Sequence, residues 1–344
     1  MRWFKILSAS LIAVGAMLVG HQADAQQTIE LKVSHYLPAV HGIHTDFIEP
    51  WARELERRTN NKVKVTIFPG GSSFGDVARQ YDQVTAGVID IAHGLHGIPR
   101  GRFPRTSVID LPFLTENADV ATRTLWALYP KYLKDEYRGV KVLALHAHNG
   151  GLIHTREKQI TQLADLKGLR IRAPSPAVQM MLEYLGATPV GLPPGQVYEN
   201  LQKGAIDGAV FPWDPVSSFK LAEVLKYHLD ARTYTVSFFF VMNQRKYDGL
   251  PPDVKQAIDD ISGDALIPKF GPWWNKWDQA GLDQAKARGN VIVRLSDEER
   301  QRWREALTPM TESYLKSIED QGVKNVREIY DEALRLVAQF EKKS

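Results

Sequence analysis

Residues 81–92, YDQVTAGVIDIA, lie over residues 198–209, YENLQKGAIDGA, without a gap; Tyr81/Tyr198, Gly87/Gly204, Ile89/Ile206, Asp90/Asp207 and Ala92/Ala209 coincide. Each copy reads as a helix that ends at a C-capping glycine and passes into a short strand beginning Ile-Asp. Five identities in twelve are within reach of coincidence, and the separation is too long for a solenoid repeat. The surrounding sequence gives the duplication its weight. IELKVSHYLP alternates Ile29, Leu31 and Val33 as a strand ending at His35-Tyr36. A helix is expected from about Thr45 to Thr59, then a strand KVKVTIF closed by PGGSSFGD, and further strands at VKVLALHAH (140–146) and LRIRAP. The expectation is an α/β chain with two lobes built alike. Open α/β sheets bind ligands at the carboxyl ends of their strands, which puts the expected site in the cleft between the lobes.

The last third reads as helical. A helix-compatible stretch from Pro251 carries a disturbance at Pro268 and GPWW, NVIVRL forms one more strand, and two helices close the chain from Ser296 and about Asn325. Trp273, Trp274 and Trp277 could face a partner, but aromatics at such helical spacing more often face a core.

With 344 residues, 44% of them hydrophobic, the chain has material for two cores. A net charge of +3 marks no nucleic-acid binder. Residues 1–25 carry Arg2 and Lys5, an apolar run and Ala23-Asp24-Ala25, the pattern of a cleaved secretory signal. No later stretch approaches ~20 apolar residues, so no stable membrane insertion is expected. Cysteine is absent, which leaves neither disulfide nor thiol chemistry. An exported chain of this kind is expected in a periplasm.

LKGLRIRAPSPA (166–177) sets Arg170 and Arg172 in a short apolar strand ended by Pro174. A guanidinium stays charged, and burying it is costly unless an anion accompanies it. Both arginines share one side of an ideal strand, so alternation alone leaves open which of them a ligand would complete.

DLKGLRIRAPSPAVQMMLEYLGATPVGLPPGQVYENLQKGAIDGA resembles the DctP-type solute-binding proteins of TRAP transporters, as do IFPGGSSFGD and LPFL. The resemblance implies a two-lobe periplasmic binding protein fold, α/β, with a long helix crossing between the lobes. Its implied boundaries are domain I at 26–148 with 236–275 and domain II at 149–235 with 276–344. It implies a receptor that closes on a small organic acid and delivers it to TRAP membrane subunits, as monomer or dimer. The family's carboxylate-binding arginine falls on Arg172, which leaves Arg170 a structural or solvated charge. Phe211 replaces a family asparagine, and HNGGLIH stands where a second arginine is usual. Those departures favour a small or aromatic monocarboxylate, such as a 2-oxo acid, with Phe211 and Trp213 lining the pocket or simply packing. Asp214, in PWD, would cap the helix that begins at Pro215, hold a sodium or calcium ion that bridges to the ligand, or do both, since the two roles are compatible.

Histidines crowd the first half of the chain, and His41/His44 and His93/His96 have i, i+3 spacing. Without an acidic or cysteine partner in a ligand motif, they are expected as loop or pocket histidines rather than a zinc site. His93, His96, Tyr36, Asn149 and Phe239 complete the expected ligand contacts. GxSxG, Walker and GxGxxG motifs are missing, so a receptor is expected rather than an enzyme. A sensing subunit for a membrane signalling partner would use the same cleft.

Overall fold

The computed structural model describes residues 28–342, so the expected signal segment lies outside the described residues. Among the described residues eleven strands form two sheets. The first sheet contains β1 (Ile29–His35), β2 (Val63–Phe68), β3 (Ile91–Leu95), β4 (Val140–Ala147) and β10 (Ser237–Asn243), in the order β2-β1-β3-β10-β4. The second contains β5 (Leu152–Thr155), β6 (Arg170–Ala173), β7 (Thr188–Gly191), β8 (Gly208–Phe211), β9 (Tyr227–Asp230) and β11 (Val291–Arg294), in the order β11-β9-β5-β8-β6-β7.

The duplicated segments occupy matching places in these sheets. Gly87 and Gly204 both adopt the left-handed conformation, with φ of 74° and 70°, and end the helices Gln80–Thr85 and Val197–Gln202 before β3 and β8. Asp90 accepts a hydrogen bond from the backbone N–H of Lys32 in β1; Asp207 accepts one from Arg170 in β6, each at 2.8 Å. In each sheet three parallel strands (β2-β1-β3 and β7-β6-β8) meet an antiparallel strand: β10, from far along the chain, in the first, and β5, which directly precedes β6, in the second.

The chain switches sheets between β4 and β5 and again between β9 and β10. The two crossings hold each other: Gly151 N–H donates to the Tyr234 carbonyl at 2.7 Å and the Thr235 hydroxyl to that of His148 at 2.6 Å. A third connection is the helix Ile267–Ala287. Its first turns pack on the helix Ala118–Leu128 beside the first sheet, and its later turns on the helix Asp214–Ser218 beside the second. The approach at the second contact is close, since a Cβ on Gly281 would sit 1.9 Å from the Trp213 carbonyl oxygen.

Two expectations about the last third change. Pro268 does not interrupt a helix but occupies the start of one, where its missing N–H costs nothing, and the helix runs on through Gly271 and Pro272. The closing helix Val326–Glu341, expected with domain II, packs instead against Ala118–Leu128 of the first lobe. Its buried Ile329, Ala333, Leu336 and Val337 recur at helical spacing and need an apolar face to cover them. Trp274 and Trp277 are buried, as core aromatics should be.

Candidate ligand-binding site

Strand β6 delivers Arg172 to the carboxyl end of the second sheet, where Pro174 and the helix Pro176–Tyr184 turn the chain away. The residue is 1% exposed. Its Nε donates to the Leu192 carbonyl at 3.0 Å and its Nη1 to the Val210 carbonyl at 3.3 Å. Nη2 is buried without a hydrogen-bond partner. The guanidinium carbon lies 4.2 Å from the ring centroid of Phe211. Two neutral carbonyls and a ring face leave the charge without a counter-ion, and burial pulls its pKa down to about 10. Near neutral pH it remains a cation. Arg170 differs in every respect. Half-exposed, it forks onto Asp207 through Nε (3.0 Å) and Nη2 (2.6 Å), so its anion is already part of the fold.

Arg172 faces a small, mostly apolar cavity between the sheets. Strand ends and crossings build its walls: Tyr36 and Leu37 follow β1, Leu95 ends β3, His148 follows β4, Val236 precedes β10 and Phe238 lies near its start. Phe211 and Pro212 come from β8 and its end, Phe219 from beyond the helix Asp214–Ser218, and Trp274 from the long helix. Tyr234 comes from the β9–β10 crossing, and its buried hydroxyl also has no hydrogen-bond partner. Burial raises the pKa of Tyr36 and of Tyr234, with the Arg172 charge acting against the shift in both, so both stay protonated donors.

The other polar walls are already satisfied. Nδ1 of His148 donates to the Asn149 carbonyl, and Nε2 accepts from Val236 N–H at 3.2 Å. Burial lowers the pKa of His148 to about 4, so it offers the cavity a neutral ring. Nε2 of His41 meets Asp214 at 2.6 Å, and Nδ1 accepts from Ile43 N–H at 3.0 Å.

Of the expected contacts, the cavity brings together Arg172, Phe211 and Tyr36. Trp213 packs instead against His154 and His228 at ring-centroid distances of 5.6 and 5.1 Å, and lines a separate polar groove with Asn149. The Asn149 side chain is consumed by Ala118 N–H, Asn275 and Asp278. His93 lies in the core, 2.9 Å from His146, and His96 is bonded to Ser237 and Tyr137. Phe239 faces away from the cavity, against Tyr81, Phe103 and His96. Phe238, one residue earlier, is the wall. A one-residue step along a strand reverses the face, and Tyr234, Val236 and Phe238 share the cavity side at a spacing of two.

Asp214 opens its helix without capping it through its side chain, and Oδ2 is engaged by His41 and by Ser218 at 3.1 Å. Among the described residues no three histidine, aspartate or glutamate side chains come together as a metal would need. This donor set does not fit a hard cation, which takes many oxygens.

A family model described as bacterial extracellular solute-binding protein, family 7, matches residues 33–317. The chain is 27% identical over 329 residues to the outer membrane transporter protein TsaT of Comamonas testosteroni, covering 93% of this chain and 94% of that one. A TRAP solute-binding protein of Rhodoferax ferrireducens, solved with copurified benzoate, is similar with a TM-score of 0.88 at 32% identity, covering 92% of this chain and 99% of that one. A marine metagenome TRAP solute-binding protein specific for aromatic acid ligands, solved with 3-hydroxybenzoate, has a TM-score of 0.87 at 33% identity, covering 91% and 99%.

Proposed function

The chain belongs to bacterial extracellular solute-binding protein family 7, the receptors of TRAP transporters, and from that premise we propose that its cleft takes one aromatic monocarboxylate. The observation that carries the reading is the buried Nη2 of Arg172, unpartnered inside a cavity walled by Phe211, Phe238 and Trp274. A carboxylate supplies the missing anion, and a planar ring fills the space between the aromatics. The benzoate and 3-hydroxybenzoate held by the two similar proteins support the same class.

Selectivity follows from what the walls withhold. Arg172 is the only Lys or Arg among the lining residues, and His41 and His148 are spent on internal partners. Apart from the Tyr36 and Tyr234 hydroxyls, a second carboxylate or a row of sugar hydroxyls would lose water here without a side chain free to replace it. His41, rather than a bridging cation, is the group we assign to Asp214.

Ligand contacts from both lobes favour the closed arrangement over an open one, a population shift driven by differential binding. The closed surface is what the TRAP membrane subunits would recognise. Export through residues 1–25 would place the receptor in the periplasm; no helix among the described residues is long and apolar enough to cross a membrane.

A thermal-shift panel tests the class. Benzoate, 3-hydroxybenzoate and mandelate are expected to raise the melting temperature by several degrees at millimolar concentration, through preferential binding to the native state. Succinate and glucuronate should leave it unchanged. A shift confined to the dicarboxylate or the uronate would overturn the assignment.

A further inference from the structure

Tyr234 stands apart from the other polar groups of the cavity. It is 1% exposed, its hydroxyl oxygen is buried without a hydrogen-bond partner, and it lies on the crossing between β9 and β10 rather than on either sheet. An orphaned buried hydroxyl is costly, and native folds seldom keep one without use.

The surroundings hold the ring in place. The ring rests on Gly151 of the other crossing, where a Cβ would come within 2.2 Å of ring carbons and 2.6 Å of the hydroxyl oxygen. Its backbone carbonyl accepts from Gly151 N–H at 2.7 Å, and the preceding Thr233 carbonyl from Phe113 N–H at 2.8 Å. The His148 ring meets it edge-on at 5.7 Å between centroids. Arg172 lines the same cavity and acts electrostatically on the hydroxyl.

We infer that Tyr234 is the second polar anchor of the acid: its hydroxyl donates to the carboxylate that Arg172 binds, so the ligand joins the second lobe to the crossing on which the lobes turn. This rests on the carboxylate reading of the cavity. Arg172 alone would select an anion. With Tyr234, the site also fixes the plane of the carboxylate and with it the direction in which the ring projects. Gly151 keeps the space the phenol needs, which makes it a positioning residue.

Calorimetric titration of benzoate into wild type, Tyr234→Phe and Gly151→Ala tests the inference. Tyr234→Phe should weaken binding roughly ten- to a hundredfold, the range for a hydrogen bond to a charged group. Its unliganded melting temperature should hold or rise, because an orphaned hydroxyl is removed. Gly151→Ala should also weaken binding while retaining the hydroxyl, by displacing the ring. Equal affinity in wild type and Tyr234→Phe would overturn the inference and leave the Arg172 reading standing. A weakened Tyr234→Phe that also melts well below wild type would show a structural role and overturn it too. Failure of wild type to bind benzoate or any other aromatic acid would overturn both.

Discussion

Arg172→Met is expected to melt a few degrees higher than wild type without ligand and to lose the stabilisation that aromatic acids confer. Unliganded, the fold carries a buried guanidinium with two carbonyl partners, an aromatic face and no anion. Replacing buried ionic groups by well-packed apolar side chains of similar volume is often neutral or stabilising by about 1–4 kcal/mol, and here the group replaced has no ion partner. The same change takes one partner from the desolvated ion pair of the complex, a loss of about 2–5 kcal/mol, or roughly thirty- to several-thousandfold in affinity. Arg172→Lys should fall between, because an ammonium keeps the charge but cannot form the fork. Thermal melts with and without benzoate read both effects. A variant that melts lower than wild type yet still responds fully to the acid would contradict the account.

Stability should peak near pH 6.5–7 and fall steeply below it, well above the range where exposed carboxylates begin to protonate. Burial lowers the pKa of seven histidines: His35 and His96 to about 3, His148 and His154 to about 4, His228 to about 2, and His93 and His146 well below the usual value. The unfolded chain takes up their protons below about 6.5 while the folded one does not, so stability drops as pH falls from there towards 4. At pH 5 each such imidazole costs up to about 2 kcal/mol. Three contacts sharpen the effect, because His35–His44 (2.9 Å), His93–His146 (2.9 Å) and His154–His228 (2.7 Å) bring ring nitrogens together, and such a contact accommodates one proton, not two. Asp110 and Asp278 act in the opposite sense. Burial raises them to about 8 and 7, so the folded chain holds protons the unfolded one has lost, and stability gains as pH falls through those values. Seven outweigh two below pH 6.5. Melting temperatures from pH 8.5 to 4.5 at constant ionic strength check this. A flat profile down to pH 5 would contradict it.

The two-lobe architecture was legible because the duplicated segment does local work that composition records: a left-handed glycine and an aspartate bonded to the neighbouring strand, once per lobe. The same duplication explains Arg170, whose backbone and side chain both bind Asp207. Arg172 was legible because charge, strand end and family register converge on it. The rest of the cavity was harder. β10 enters the first sheet from far along the chain and runs antiparallel, which buries His93 between strands and selects Phe238 rather than Phe239 as the wall. Nothing local to His93 or Phe239 signals that insertion. Tyr234 left a weak trace, the period-two series Tyr234, Val236 and Phe238. His41 stood out only by its spacing to His44, and nothing local ties it to its partner Asp214, which belongs to the other lobe.

In the proposed complex the ligand's charge completes Arg172. Calorimetric titration of benzoate and of benzamide into the wild-type protein at pH 7.5 tests it most directly, because the two probes share a ring and nearly a shape but differ in charge. Benzoate is expected to bind, and benzamide to bind at least a hundredfold more weakly, because it leaves a buried cation unpaired. Equal affinities would mean that the cavity reads only the ring, and that Arg172 is not the anchor.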